Sequence, residues 1–257
     1  MSSVDSAGIG EQQSRQLVFP EFKSGEGKNR QITVIIPTLN EEKSIADLIK
    51  ELNIGGFSNI LVIDGNSTDC TAQIAKELGV NVIFQNGKGK GDALRQAFSY
   101  KALSDWVVML DADGSMNPVE ILSFLEPLKN GVDVVKGSRF LPEGFSEDMT
   151  FFRKIGNKFF IFLVNLIWGA KYTDLCYGYA AFKKESLHKM YPHLKSKNFE
   201  IEAEIFIKAK KLGLRVEEVP SIELRRRFGK SNLDAFGDGF KILQTIIREA
   251  LFNKTAI

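Results

Sequence analysis

The chain has 257 residues, 44% apolar and 26% charged, enough for one large domain with the ordinary composition of a soluble globular protein. Its formal net charge of +2 is too small to argue for a nucleic-acid partner.

Residues 1–30 are rich in Ser, Gly, Gln and charge without hydrophobic period, and read as a mobile leader. No basic segment followed by an apolar one opens the chain, so no signal peptide is expected. From residue 31 the pattern alternates. "ITVIIP" is a β-branched strand, followed by a helix from Glu41 to about Leu52. "NILVID" is a second strand, after which Thr68 or Asp69 caps a helix through Leu78. "VNVIF" is a third, with a helix from about Asp92 to Leu103. "WVVML" is a fourth, with Asn117-Pro118 opening the next helix, and "VDVVKGS" is a fifth. Continuous apolar strands between amphipathic helices predict an α/β fold, a mostly parallel central sheet flanked by helices.

After residue 140 the grammar changes. An aromatic, basic stretch over 151–171 precedes "TDLCYGYAAF", a loop and strand. A helix from about Glu200 to Leu212 follows, then "RVEEVP" and "SIELRRR" as strands and a last helix from Asp234 to Leu251. Residues 31–257 thus read as a single domain, with a nucleotide-binding half to residue 140 and an acceptor-binding half from 141. The longest strongly apolar run, "FFIFLVNLIWGA", has 12 residues. A membrane-spanning helix needs about 20. The 151–169 stretch is apolar nearly all round and flanked by Arg153, Lys154, Lys158 and Lys171. It fits a helix lying at a bilayer interface, or one buried by its neighbours. The last helix could extend that surface or form a dimer contact.

Polar groups gather where strands end. Strand one delivers Pro37, Thr38, Asn40 and Glu41, strand two Asp64, Gly65 and Asn66, and strand five Gly137, Ser138 and Arg139. Strand four runs into "DAD", whose Asp111 and Asp113 on an extended backbone share one face. Ligands of open parallel sheets bind at this edge. Two neighbouring carboxylates repel unless a cation lies between them, and an oxygen-only donor set suits Mg²⁺ or Mn²⁺ on a phosphate. "NGKGKGDAL" is Gly-rich and opens a helix, so its amides and a lysine can meet an anionic diphosphate, although it is neither a Walker loop nor a Rossmann fingerprint. Cys70 and Cys176 fit no metal or disulfide spacing and read as free thiols of a reducing compartment, and His188 and His193 have no catalytic partner in view.

"VIIPTLNEEKSI", "LVIDGNSTDCTAQIA", "GKGKGDAL", "VVMLDADGSMNP" and "VVKGSRF", in that order, resemble glycosyltransferase family 2, whose fold is the GT-A nucleotide-sugar domain. In the second half "RKIGNKFF", "TDLCYGYAAFKKE", "FEIEAEIFIKAKKLGLRVEEVP" and "RRRFGKSNL" are similar to the dolichol-phosphate mannose synthase branch, which includes polyprenyl-phosphate glycosyltransferases. The resemblance implies an inverting, metal-dependent hexosyltransferase moving sugar from a UDP- or GDP-linked donor to a polyprenyl phosphate. It implies nucleotide-sugar contacts from Pro37, Thr38, Asn40, Glu41, Asp64, Lys88 and Asp111, and Mg²⁺ or Mn²⁺ held by Asp111 and Asp113. It implies catalytic roles for Asp113, Arg139, Arg153 and Arg226, and acceptor binding by Arg139, Arg153, Arg226, Lys230 and Ser231. The chain departs from the family pattern at Gly65, commonly a second Asp, at Asn232, commonly a Lys for which Lys230 substitutes, and at Ser115 after the D-x-D. The implied place is cytoplasmic, including a peripheral position on the cytoplasmic face of a membrane. A homodimer or a membrane-subunit partner stays open. A sugar or small-molecule hydroxyl as acceptor is the alternative. It requires a general base, for which Asp174, Glu202 and Glu204 are the candidates, although Glu204 and Lys208 also fit a surface ion-pair ladder. A nucleotide-sugar-binding protein without turnover is a third possibility.

Overall fold

The computed structural model describes residues 32–229 and 233–251. The leader at 1–30 and the positions Lys230, Ser231 and Asn232 lie outside the described residues. The first half runs β1 (Ile32–Thr38), α1 (Ile45–Ile54), β2 (Ile60–Asp64), α2 (Thr71–Glu77), β3 (Asn81–Phe84), α3 (Lys90–Phe98), β4 (Trp106–Met109), α4 (Ile121–Lys129) and β5 (Val134–Ser138). The second half adds β6 (Phe145–Ser146), α5 (Phe151–Trp168), β7 (Ala180–Lys183), α6 (Lys184–Met190), α7 (Ile201–Lys211), β8 (Val216–Pro220), β9 (Ile222–Glu223) and α8 (Ala235–Leu251).

Seven strands form one sheet in the order β3-β2-β1-β4-β7-β5-β8. Neighbours are parallel except β7, which runs antiparallel between β4 and β5. The expected mostly parallel α/β sheet is therefore what forms. Its strands read as unbroken apolar runs because both faces are covered. Ile35, Leu61, Ile63, Val107 and Met109 pack with α3, α5, α7 and α8. Val34, Ile36, Val62 and Val108 pack on the other face with α1 and α4. Burying each such side chain contributes about 1.5–3 kcal/mol. The layers hold the carboxyl ends of β1, β2 and β4 along one edge.

Several boundaries differ from the sequence reading. The helix expected from Glu41 begins only at Ile45, because residues 41–44 form a turn in which the Ser44 hydroxyl donates to the Glu41 carboxylate at 2.8 Å. The helix expected to reach Leu103 ends at Phe98. The strand expected over "SIELRRR" shrinks to Ile222–Glu223. Beyond it the Leu224 amide donates to the Ser115 carbonyl at 2.8 Å and the Arg227 amide to the Asp113 carbonyl at 2.9 Å. This segment pairs with the D-x-D turn instead of a strand.

Helix α5 settles one open alternative. Thr150 caps its first turn by accepting from the Arg153 amide, and Gly169 ends it in the left-handed region at φ 60°. Only Asn157, Phe160 and Val164 are buried along it, while Phe152, Phe159, Phe162 and Leu166 are exposed. It is not a core helix. It lays a narrow inner face on α8, where Phe160 and Val164 join Ile242 and Ile246 in one core.

Candidate active site

A cavity of about 550 Å³ opens at the carboxyl edge of β1, β2 and β4. Pro37, Thr38 and Glu41 line one side, and Asp111 and Asp113 form part of the floor. The two aspartates do not reach it along an extended strand, as their spacing predicted. Strand β4 stops at Met109 and the chain turns through Gly114, whose φ of 75° favours glycine. A side chain at Gly114 would also collide with Arg227, 2.5 Å from where its Cβ would sit. The turn is thus held from behind by the 224–227 segment.

The aspartates are already met by cations of the chain itself. The Lys90 ammonium lies 2.6 Å from Asp111 and 2.7 Å from Glu202. Burial works against its charge, but the two carboxylates outweigh that and raise its pKa. Burial raises the Asp111 carboxyl, Lys90 pulls it back, and the neighbouring charges of Asp113 and Glu202 add to the rise. Arg226 crosses the mouth with its guanidinium 2.6 Å from Glu41 and 3.4 Å from Asp113. Burial raises the Glu41 carboxyl, against the pull of Ser44 and Arg226.

The Gly-rich segment behaves differently from its sequence reading. The Gly91 and Asp92 amides at the start of α3 donate to one acceptor, the Lys197 carbonyl, at 2.8 and 3.1 Å. They are not aimed at a phosphate. Lys88 does line the cavity, yet Lys90 is the lysine that reaches the D-x-D. Two lysines separated by one glycine give the same sequence signal, and only the close fit of Gly89 and Gly91 against residues 196–198 decides between them.

The other anticipated residues divide. Arg153 lines the cavity from the first turn of α5, donating to the Asp148 carbonyl at 3.1 Å and its carboxylate at 3.2 Å. Asn40, at φ 57°, faces a smaller side pocket shared with Glu41 and Arg226. Asp64 is fully buried below the edge: Oδ1 accepts from the Ser67 amide at 2.8 Å, and Oδ2 has no partner among the described residues. Arg139 is not brought to the cavity. It is buried, with its guanidinium 2.7 Å from Asp174 and 3.0 Å from Glu223, and it stacks 4.6 Å over the Tyr177 ring. Its charge is spent on fixing Tyr177 and Glu223, which do line the cavity and which the sequence reading missed. Their signal lay in a partner far along the chain, 84 residues away in the case of Glu223, which no local pattern displays.

The base candidates fare unequally. Glu202 lines the cavity but holds Lys90. Glu204 is buried, accepting from the Lys195 and Ser196 amides at 2.9 and 2.8 Å and pairing with Arg248. It is not the exposed ladder residue its spacing to Lys208 suggested, and Lys208 pairs with Glu249. Asp174 is buried on Arg139 and Asn157, and although burial would raise its carboxyl, Arg139 holds it down at about 2.

Among known families, the model described as glycosyl transferase family 2 matches residues 33–191. Glycosyltransferase AglJ of Haloferax volcanii is 36% identical over 86% of this chain and 73% of its own length. The dolichyl-phosphate hexose transferase of the same organism is 32% identical over 86% of this chain and 94% of its own. In fold, the chain is similar to glucosyl-3-phosphoglycerate synthase from Mycobacterium tuberculosis, solved with Mn²⁺, uridine diphosphate and phosphoglyceric acid. That likeness has a TM-score of 0.68 at 22% identity, covering 86% of this chain and 78% of that one.

Proposed function

Because the chain belongs to glycosyl transferase family 2 and is a glycosyltransferase, we propose that it transfers a hexose from a nucleotide sugar to a polyprenyl phosphate at a membrane surface, with inversion at the sugar C1. One observation carries this reading: a single cavity is lined by the Asp111 and Asp113 carboxylates and by the Arg153 and Arg226 guanidiniums. It thus offers ligands for a cation and for an anion side by side. The relative that is a dolichyl-phosphate hexose transferase supports the acceptor class.

The donor set fits a divalent metal. Asp111 and Asp113 offer hard oxygen ligands, and no third His, Cys, Asp or Glu joins them in a metal-holding group among the described residues. Two carboxylates leave room for water and diphosphate oxygens, as suits Mg²⁺ or Mn²⁺. When bound there, the ion supplies charge neutralisation on the leaving diphosphate. Lys90 and Arg226, which now balance Asp111 and Asp113, would then meet phosphate oxygens while Lys90 stays on Glu202 and Arg226 on Glu41. Pro37, Thr38, Glu41 and Lys88 surround the nucleotide, with Asp64 beneath it; Asn40 shapes the turn from the side pocket. The acceptor phosphate has a second pKa of about 6, is already anionic at neutral pH and needs placement more than a base. Arg153 and Arg226 place it in the bidentate manner arginine favours. One phosphate oxygen bonds to the sugar C1 as the bond from C1 to the diphosphate oxygen breaks, and the electron pair leaves on the nucleoside diphosphate. Arg139 acts through Tyr177 and Glu223, as a positioning residue. A hydroxyl acceptor is disfavoured, since Glu202 is committed to Lys90 while Glu204 and Asp174 are buried in ion pairs. The free thiols of Cys70 and Cys176 fit the reducing, cytoplasmic side.

The test is incubation with Mg²⁺ or Mn²⁺, a short polyprenyl phosphate and a panel of nucleotide sugars, followed by mass analysis of the lipid. A glycosylated lipid phosphate from one donor is expected. Full activity in EDTA sinks the metal role, and transfer only to hydroxyl acceptors sinks the acceptor class.

A further inference from the structure

The proposed acceptor lives in a bilayer, yet among the described residues no helix is long and apolar enough to cross one. Helices α5 and α8 supply another means of reaching it. On α5, Phe152, Ile155, Phe159, Phe162 and Leu166 are all exposed. Their spacing of three or four residues puts them on one stripe, opposite the buried Asn157, Phe160 and Val164. On α8, Phe236, Phe240, Ile247 and Leu251 are exposed in the same way, while Ile242 and Ile246 face inward. The side chains are extreme for a surface: Phe152 is 72% and Phe236 82% exposed. Scattered exposed apolar residues are normal, but two stripes on helices that pack together are not.

The charges point to one occupant. Met149 through Thr173 contains no Asp or Glu, though 32 of the 257 residues are acidic, and it carries Arg153, Lys154, Lys158 and Lys171. Lys154 and Lys158 are exposed beside the apolar stripe. Within α8 the acids are turned inward: Asp238 is buried against Lys241, and Glu249 against Lys208 and Lys211. The outward face of α5 therefore offers apolar groups and positive charge, and that of α8 continues the apolar surface with its carboxylates turned inward. We propose that α5 and α8 form a docking face for an anionic lipid bilayer. The apolar stripes enter the headgroup–acyl boundary and the lysines meet the headgroups. Pairing with a second copy through the same stripe would oppose Lys154 and Lys158 to their own likes. The same α5 that meets the lipid carries Arg153 into the cavity on its first turn. A lipid phosphate is thereby received without leaving the membrane surface. This purpose rests on the lipid-phosphate reading; the docking face itself does not.

The test is flotation of the full chain with vesicles of phosphatidylcholine, alone or with phosphatidylglycerol, all without polyprenyl phosphate. Binding to the anionic vesicles is expected, weakening as salt rises. The double variant Phe159→Ser/Phe162→Ser should lose tenfold or more in partition, and Lys154→Glu/Lys158→Glu about tenfold or more of the anionic preference. Both replace exposed side chains, and turnover on a short, water-soluble prenyl phosphate should stay as in the parent. No flotation, or equal flotation of parent and double variant, overturns the docking face. A lipid-free dimer that the serine variant dissolves also overturns it, assigning the face to a second copy. Vesicle binding with no transfer to any lipid phosphate leaves the docking face standing and sinks the acceptor reading instead.

Discussion

Lysine and arginine meet carboxylates in two settings in this molecule, one across the cavity mouth and one in a seam beneath it. At the mouth, Lys90 bridges Asp111 and Glu202, and Arg226 bridges Glu41 and Asp113, with each partner partly open to solvent. In the seam, Lys136 is fully buried on Glu218 at 2.9 Å, and Arg139 is enclosed by Asp174 and Glu223. Glu218 also accepts from the Thr173 amide and hydroxyl, each at 2.8 Å, and Asn157 of α5 donates to Asp174 at 2.7 Å. The seam pairs are surrounded by further hydrogen bonds, so exchanging a partner there strands a buried charge. The mouth pairs line the cavity, where an incoming anion can take the place of a carboxylate. Identical residue types thus give a fixed frame below and a replaceable set of counter-charges above.

That contrast can be broken at either end. The largest effect is expected at the mouth: Asp113→Ala should cut metal-dependent transfer by about 10³-fold or more, the worth of several kcal/mol of charge stabilisation, with the fold intact by circular dichroism. Next comes the seam, where Arg139→Ala leaves Asp174 and Glu223 without their cation and should cost about 3–5 kcal/mol in denaturant unfolding. Arg226→Ala should behave in the opposite way, lowering kcat/KM by about 10²-fold while costing clearly less stability than Arg139→Ala. Equal stability losses in the two arginine variants would erase the distinction. The smallest effect sharpens it by pH. Asp174 has its carboxyl held near 2 against an ordinary 3.8, so its contribution is complete above about pH 4 and lost as pH falls through about 2. It amounts to about 2 kcal/mol. Acid unfolding followed in parent and Asp174→Asn should differ over that window.

Much of this was legible in the sequence, for physical reasons that also explain the failures. The strands announced themselves because a sheet covered on both faces needs unbroken β-branched runs such as "ITVIIP" and "ILVID". The D-x-D was found because two adjacent carboxylates demand an explanation. Lys90 was passed over for Lys88 because local spacing cannot say which lysine a glycine turn swings inward. The resemblance assigns Arg139 to a phosphate, and nothing local contradicts it until its partners, 35 and 84 residues away, are folded onto it. The composition of the 221–227 segment predicts a strand, yet after Glu223 its amides serve the D-x-D turn.

The pairing of the Gly91 and Asp92 amides with the Lys197 carbonyl has a mechanical consequence. With Gly89 and Gly91 too close to residues 196–198 to admit a side chain, the start of α3 and the approach to α7 are welded into one rigid jaw. A widening of the cavity would therefore fall to the opposite side, where Arg226 rests on Glu41 and Asp113.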